Sequence, residues 1–188
     1  MRRGGALVGL VLGVLGACGG GGGDGLVSFD VDIDIDETTV PGFADPLPSC
    51  EFTPAGDLAS DAFGEFTFDF SGEEEFEGRG PFELEKVVLE RIRVRIVNEA
   101  SGDTDNFDFV DTIKLFAEDP TNPQDSRLVA ELDPVPDGVK ELVIPGTGID
   151  VADLLAEDTF VGRAEATGRP PCDEVNFVGV AEFEVTIF

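Results

Sequence analysis

The side chains that could do chemistry in this chain are few in kind. It has no histidine, tyrosine or tryptophan and only three cysteines, but 40 aspartates and glutamates. Histidine is the commonest general base near neutral pH, and no serine here stands in the G-x-S-x-G pattern of a nucleophile elbow. Carboxylate pairs cleave glycosides in some enzymes, but so many carboxylates make no single pair informative. The composition therefore predicts a protein that is not an enzyme and has no cofactor.

The first 17 residues have the composition of a secretory signal. Arg2 and Arg3 precede residues 6–17 (ALVGLVLGVLGA), which carry no charged or hydrogen-bonding side chain. A helix of that length rises about 18 Å, whereas the hydrocarbon core of a bilayer is about 30 Å thick. The apolar run is therefore too short for a permanent membrane span.

The residues that follow this run, Leu15-Gly16-Ala17-Cys18, resemble the lipobox of bacterial lipoprotein precursors. In that family the cysteine thiol receives a diacylglyceryl group, a signal peptidase cuts before the cysteine, and the new amino terminus is usually acylated. The resemblance implies that Cys18 becomes the lipidated first residue of the mature protein. Residues 18–25 (CGGGGGDG) would then form a flexible tether, because glycines bury no apolar surface. A plain secreted protein and an N-terminal transmembrane helix are the alternatives.

The same resemblance implies a location in the bacterial cell envelope. Several acyl chains hold a protein on a membrane far more firmly than a single chain does. Family members that stay at the inner membrane often carry Asp directly after the cysteine, but this chain has Gly19 there. We therefore expect the outer membrane rather than the inner one.

The acidic excess argues against nucleic acid as a partner. All 40 acidic residues follow Cys18, whereas two of the 12 cationic residues precede it. Such a negative field repels phosphate backbones and anionic lipid surfaces. The 16 phenylalanines and the many alternating aliphatic residues nevertheless indicate a folded core rather than disorder.

Cys50 and Cys172 form the remaining cysteine pair. They lie beside prolines in PLPSCEF and RPPCDE, which read as loops. An even pair in an exported protein most simply forms a disulfide, so we expect Cys50 and Cys172 to be bonded, with two free thiols as the alternative. Two cysteines without a histidine make a poor zinc site, and no metal ligand is assigned.

Residues 26–188 read as one acidic domain built from strands. Apolar and polar residues alternate with a period of two, or short apolar runs lie between turn formers, in eight segments: 27–36, 66–70, 91–96, 112–117, 127–132, 139–144, 159–167 and 175–188. Residues 83–90 fit a helix and a strand equally, and Asp150 before VADLLAE predicts a short helix with Asp150 as N-cap. This pattern predicts an all-β fold, a single antiparallel β-sandwich that is Ig-like or a related Greek key, with about eight strands and one short helix.

Two rows of opposite charge stand out on these predicted strands: Asp30, Asp32, Asp34 and Asp36 form the anionic row, and Arg91, Arg93 and Arg95 the cationic row. Opposite charges that face each other across strands stabilise a sheet. We therefore expect the two strands to pair or to lie on one wet face of a sheet. The rival interpretation is that the arginine row captures an anionic ligand.

Calcium is an alternative ligand of the predicted domain. Asp30-x-Asp32-x-Asp34 has the first spacing of an EF-hand loop, but Ile35 and Pro41 stand where that loop needs Gly and Glu. A second acidic segment could wrap a cation better, with its oxygens on Asp103, Asp105, Asn106 and Asp108. Carbohydrate binding also stays open, although the Trp and Tyr rings that usually stack on sugars are absent.

These observations predict a non-enzymatic lipoprotein, attached to the membrane through its N-terminal lipid, with a structural or protein-interaction role in the envelope. An envelope protein is the expected partner. The alternative is a β-sandwich module of the envelope that binds calcium or another ligand, such as carbohydrate.

Overall fold

The computed structural model describes residues 26–42, 57–70, 84–97, 106–155 and 159–187. These residues contain eight strands. They are β1 (Val27–Val40), β2 (Glu65–Asp69), β3 (Leu84–Ile96), β4 (Val110–Asp119), β5 (Asn122–Leu132), β6 (Glu141–Pro145), β7 (Thr159–Gly168) and β8 (Val175–Ile187). Each predicted strand segment lies wholly or mostly within one of these strands.

The strands form two antiparallel sheets of four strands each. The first sheet has the order β1-β8-β3-β6 and the second the order β2-β7-β4-β5. Apart from the β4–β5 hairpin, every connection along the chain leads from one sheet to the other. This is the strand order of a jelly roll, which consists of two Greek keys. The predicted all-β sandwich is confirmed, and its topology is the related Greek key rather than the immunoglobulin one.

The core lies between the sheets and is rich in phenylalanine. Seven phenylalanine side chains are almost completely buried: Phe63, Phe68, Phe70, Phe107, Phe160, Phe177 and Phe183. Rings from three strands or their ends meet at one end of the core, where the Phe68 and Phe160 centroids lie 4.9 Å apart and those of Phe70 and Phe183 5.2 Å apart. Tilted and edge-on pairs of this kind add to the stabilisation that comes from burial. One parity of each strand therefore faces this core, and the other parity, which is mostly polar, faces outward.

A β-bulge explains why residues 83–90 fit no single period. Val87, Val88 and Leu89 are buried in succession, and the register between β3 and β8 shifts between Leu89 and Arg91. An extra residue in one strand resets the alternation of side chains. The segment from Leu84 onward is therefore strand, the first half of β3.

The predicted helix after Asp150 is a single 3-10 turn, Ala152–Leu154. Its N-cap is Val151 rather than Asp150, and Leu155 is already extended. The carboxylate of Asp150 accepts hydrogen bonds from the N–H groups of Ala152 and Val87, each at 3.0 Å. Asp150 therefore ties the turn to β3, and the helix fails to extend because Leu155 continues toward β7 in an extended conformation.

The segment after β6 passes close to β3 and joins the two sheets on one side. The N–H of Gly146 donates to the carbonyl of Glu90 at 2.8 Å, and the N–H of Thr147 donates to the carbonyl of Val129, on β5, at 2.8 Å. A Cβ atom on Gly146 would lie 1.8 Å from the carbonyl oxygen of Leu89. Only glycine allows the two backbones to approach this closely.

Replacement of Gly146 by alanine is expected to destabilise the domain. Because the added methyl group meets backbone rather than a flexible side chain, the free energy of unfolding should fall by about 2 to 3 kcal/mol. Urea unfolding measures this loss. The neighbouring variant Thr147→Ala removes only one exposed hydrogen bond, to the Leu128 carbonyl, and should lose about 1 kcal/mol or less. Equal losses in the two variants would contradict the close approach.

Candidate functional site

The most ordered arrangement of charge lies on the outer surface of the first sheet. We call this surface, formed by the outward side chains of β1, β8 and β3, the charged face. Its two outer rows are the ones singled out in the sequence: Asp30, Asp32, Asp34 and Asp36 on β1, and Arg91, Arg93 and Arg95 on β3, all exposed. β1 and β3 both pair with β8, one on each side of it. The prediction that both rows lie on one wet face is confirmed, and the strands are second neighbours rather than a pair.

Glu182 of β8 lies between the two rows and links them. It is in register with Asp32 on one side and Arg91 on the other. Its Oε2 accepts a hydrogen bond from Arg91 Nε at 2.6 Å, and its Oε1 lies 2.6 Å from Arg93 Nη2. The Glu182 side chain is only 12% exposed, so two guanidinium groups enclose one carboxylate.

The titration of this cluster follows from its geometry. The hydrogen bond from Arg91, supported by the charge of Arg93, holds the pKa of Glu182 below its ordinary value against the effect of burial. Desolvation and then the negative charge of Glu182 raise the pKa of Asp32, and the two arginines oppose this rise less strongly. The arginines therefore compensate mainly the negative charge of Glu182, and the repulsion between Glu182 and Asp32 is only partly offset.

Next to Glu182 the charged face contains an open depression of about 490 Å³, which we call the trough. It is lined by Asp34, Ile35, Asp36, Glu37, Arg93, Val94, Arg95, Glu141, Val178, Gly179 and Val180. It begins where the outward residues of β8 change from Glu184 and Glu182 to Val180 and Val178. Carboxylates and guanidinium groups thus stand on opposite strands, two strand spacings or about 10 Å apart, with valines between them.

A second β-bulge shapes the acidic side of the trough. The register between β1 and β8 shifts between Ile35 and Thr38, and both Asp36 and Glu37 are exposed. Without the bulge, alternate residues would point to opposite faces. The bulge therefore places two successive carboxylates at the rim of the trough, beyond Asp34.

Arg95, on the opposite side of the trough, has no ion pair with any described residue. Six other cations of the described residues do form ion pairs: Lys86, Arg91, Arg93, Lys114, Arg127 and Arg163. Glu141 is the register partner of Arg95 on β6, yet no ion pair joins them. In a chain with 40 acidic residues, an exposed guanidinium without a carboxylate partner is a notable feature.

The outer surface of the second sheet carries a comparable cluster, in which the arginine is paired with carboxylates. Arg163 Nε donates to Glu118 Oε1 at 2.7 Å, and Arg163 also pairs with Glu165. Its guanidinium lies 5.0 Å from the centre of the Phe116 ring, a cation–π contact. Glu118 is buried and also accepts a hydrogen bond from Ser126 Oγ at 3.3 Å. This cluster therefore reads as structural, and the trough is the better candidate for a binding site.

Of the other predicted site residues, the described part of the chain contains Cys172, Asn106 and Asp108. Cys18, Cys50, Asp103 and Asp105 lie outside the described residues, and Cys172 is half-buried before β8. The pairing of Cys50 with Cys172 and the lipid on Cys18 therefore stay predictions.

The calcium alternative also stays a prediction. Asn106 Oδ1 accepts the N–H of Asp108 at 2.9 Å, and Asp108 Oδ1 accepts the N–H of Gly138. These oxygens therefore hold the loop together. Within the described ranges, no group of three or more acidic or cysteine side chains is placed to hold a metal ion.

Glu182, Val180 and Val178 are the residues of the face that the sequence interpretation missed. The signal was present in the last strand, because its outward parity reads Val178, Val180, Glu182 and Glu184. Its importance depends on β8 lying between β1 and β3, which no local pattern shows.

Comparison with known proteins gives no further guide to the site. No protein-family model matches the chain, and the curated proteins contain no match to it. In the described part of the chain, no helix has the length and apolar character needed to cross a bilayer.

The role of Glu182 is testable with the variant Glu182→Gln. Because Glu182 has a lowered pKa in the folded protein, its stabilisation is present above the unfolded pKa and is lost as the pH falls through the folded one. At neutral pH the free energy of unfolding of the variant should be about 1 to 2 kcal/mol lower than that of the wild type, and it should fall less steeply on acidification. Urea unfolding across the acidic pH range measures both effects.

The matched control for this experiment is Glu184→Gln. Glu184 stands on the same strand and the same face, but its ion pair with Lys86 is exposed to solvent. An exposed pair contributes little, so the loss should be about 0.5 kcal/mol or less. If both variants behave alike, the enclosed position of Glu182 has no energetic importance.

Proposed function

We propose that the protein is a non-enzymatic lipoprotein of the bacterial cell envelope, anchored through lipid on Cys18, and that its sandwich domain binds a ligand or partner through the charged face. The resemblance of Leu15–Cys18 to a lipobox and the glycine run after it support the anchor. The observation that carries the binding role is the trough, where charges of opposite sign are held on one rigid sheet without being paired to each other.

Binding is favoured over catalysis by the chemistry of this face. Its titratable groups are carboxylates, arginines and Lys86. Arginine does not lose its proton at neutral pH, and the hydrogen bond to Glu184 raises the pKa of Lys86. The enclosed carboxylate, Glu182, is held in its charged form by Arg91 and Arg93. Groups of this kind recognise opposite charges well, but they offer no base poised near neutral pH.

The position of the trough along β1 suits a protein that is tethered at its N-terminus. β1 begins at Val27, directly after the glycine run, and the acidic wall of the trough lies near Asp36. At about 3.4 Å per residue, these positions are about 30 Å apart along the strand. The trough would therefore face away from the anchored end of the domain and be accessible to molecules in the surrounding solution.

The anchor is tested with the variant Cys18→Ser. The wild-type protein should fractionate with membranes, lack residues 1–17, and show a mass increased by the acyl groups on Cys18. Cys18→Ser should lose the membrane association, whereas Cys172→Ser, which replaces a cysteine of the folded domain, should keep it. An unmodified N-terminus upstream of Cys18, or a precursor whose size does not respond to globomycin, would disprove the anchor.

The disulfide between Cys50 and Cys172 is tested by thiol alkylation. Without reductant neither thiol should react, and after reduction both should react. A bridge that closes so long a loop contributes about 4 kcal/mol by chain-entropy arguments. Cys50→Ser, Cys172→Ser and the double variant should therefore lose similar stability in urea. Additive losses, or alkylation of both thiols in the oxidised protein, would show that no such bridge exists.

A further inference from the structure

We propose that the trough binds a small zwitterion, a compound with a cationic group and a carboxylate or phosphate group at opposite ends of a short apolar body. This inference deepens the proposed binding role of the charged face by naming the class of ligand. It is argued from the unpaired charges, the apolar floor and the comparison with Glu182.

Apart from Arg93, which pairs with Glu182, the charged residues on the walls of the trough form no ion pair with a described residue. Arg95 forms no ion pair, and neither Asp34, Asp36 nor Glu37 pairs with a described cation. Acidic and basic walls face each other across β8, but the spacing of the strands keeps them apart. A ligand that carries both charges can satisfy both walls at once.

The floor of the trough is apolar and offers no competing charge. Val178 and Val180 are half-buried and point outward between the two walls. Val180 is in register with Asp34 on one side and with Arg93 on the other. An aliphatic body that lies over these valines removes apolar surface from water, which favours binding. The trough volume of about 490 Å³ is within the range of small-molecule sites.

Glu182 shows what an arginine of this row does when a carboxylate is supplied over β8. Farther along β8, Glu182 forms ion pairs with both Arg91 and Arg93, with contacts of 2.5 to 2.6 Å. At Val178 the outward position of β8 carries no carboxylate, and Arg95 forms no ion pair with a described residue. The anionic group of the ligand would take that place and form a charge-assisted contact with Arg95.

A ligand with only one charge fits the trough less well. A simple anion near Arg95 meets Asp34, Asp36 and Glu37 across the trough, and Glu141 on the neighbouring strand. A simple cation near the acidic wall meets Arg93 and Arg95. The net charge of −28 further repels free anions. A zwitterion avoids both penalties because each end faces the wall of opposite sign.

The test uses 6-aminohexanoate, whose ammonium and carboxylate groups are separated by an aliphatic chain. Calorimetric titration of the purified full-length product in detergent compares it with hexanoate and hexylammonium, which each lack one charge. We expect 6-aminohexanoate to bind at millimolar concentration and at least about fivefold more tightly than either comparator. Glycine, which has both charges but no apolar body, should bind more weakly than 6-aminohexanoate.

Matched variants locate the site. Arg95→Gln and Asp34→Asn should each lower the affinity for 6-aminohexanoate about fivefold and abolish the preference for it over the singly charged compounds. The control for Arg95→Gln is Lys114→Gln, which also removes one positive charge but lies on the second sheet. The control for Asp34→Asn is Asp30→Asn, which removes one negative charge from the same strand and face but outside the trough. Both controls should bind like the wild type. Unfolding midpoints check that all four variants are folded.

Three results would overturn the zwitterion site: no heat at millimolar 6-aminohexanoate, equal affinity for the three compounds, or equal effects of Asp34→Asn and Asp30→Asn. The titration does not depend on lipid, because the probe is soluble and the trough lies in the folded domain. Binding by a protein whose Cys18 carries no lipid would disprove the anchor and leave the trough intact. A lipidated protein that does not bind 6-aminohexanoate would disprove the zwitterion site and leave the anchor intact.

Discussion

The pairing of β8 with both β1 and β3 is the constraint on which the rest of the first sheet depends. It brings the end of the domain to its beginning and places the last strand in the interior of the sheet. The inward parity of β8 supplies Phe177, Phe183 and Ile187 to the core. Its outward parity decides where opposite charges meet and where they stay apart. One strand therefore determines both the packing of the sandwich and the electrostatics of its surface.

Each sheet holds one mostly buried glutamate against arginine, and together these contacts use three of the 12 cationic residues of the chain. Glu182 lies between Arg91 and Arg93, and Glu118 lies against Arg163. A carboxylate that loses most of its water needs such a partner, whereas an exposed carboxylate is stabilised by solvent. The other acids among the described residues are at least partly exposed, so that water and salt screen their mutual repulsion. The trough differs from both clusters because Arg95 and the carboxylates opposite it face solvent and form no ion pair with a described residue.

Much of the architecture could be predicted from the sequence because period two is a local property. The strands at 27–36, 91–96 and 175–188 and the two-layer fold follow from alternation and turn formers alone. Local patterns failed where the geometry is set by a neighbour. The bulge at Leu89 hides the strand period of residues 83–90, and the expected helix is one 3-10 turn beside β3.

The charged face could be predicted only in part. The opposite signs of the two rows were enough to place them on one face, since opposite charges that face each other across strands stabilise a sheet. The link through Glu182 and the trough over Val178 and Val180 depend on strand order and register. Both are long-range properties that a local sequence pattern does not show.

The aspartate row on β1 has a consequence for how two copies of the protein meet. Among the described strands, β1 pairs with β8 alone, so its other edge is directed away from the sheet. Exposed edges of this kind invite a second chain to add a strand. Two copies that joined through β1 would set one line of aspartates against another, and this repulsion opposes edge-to-edge aggregation.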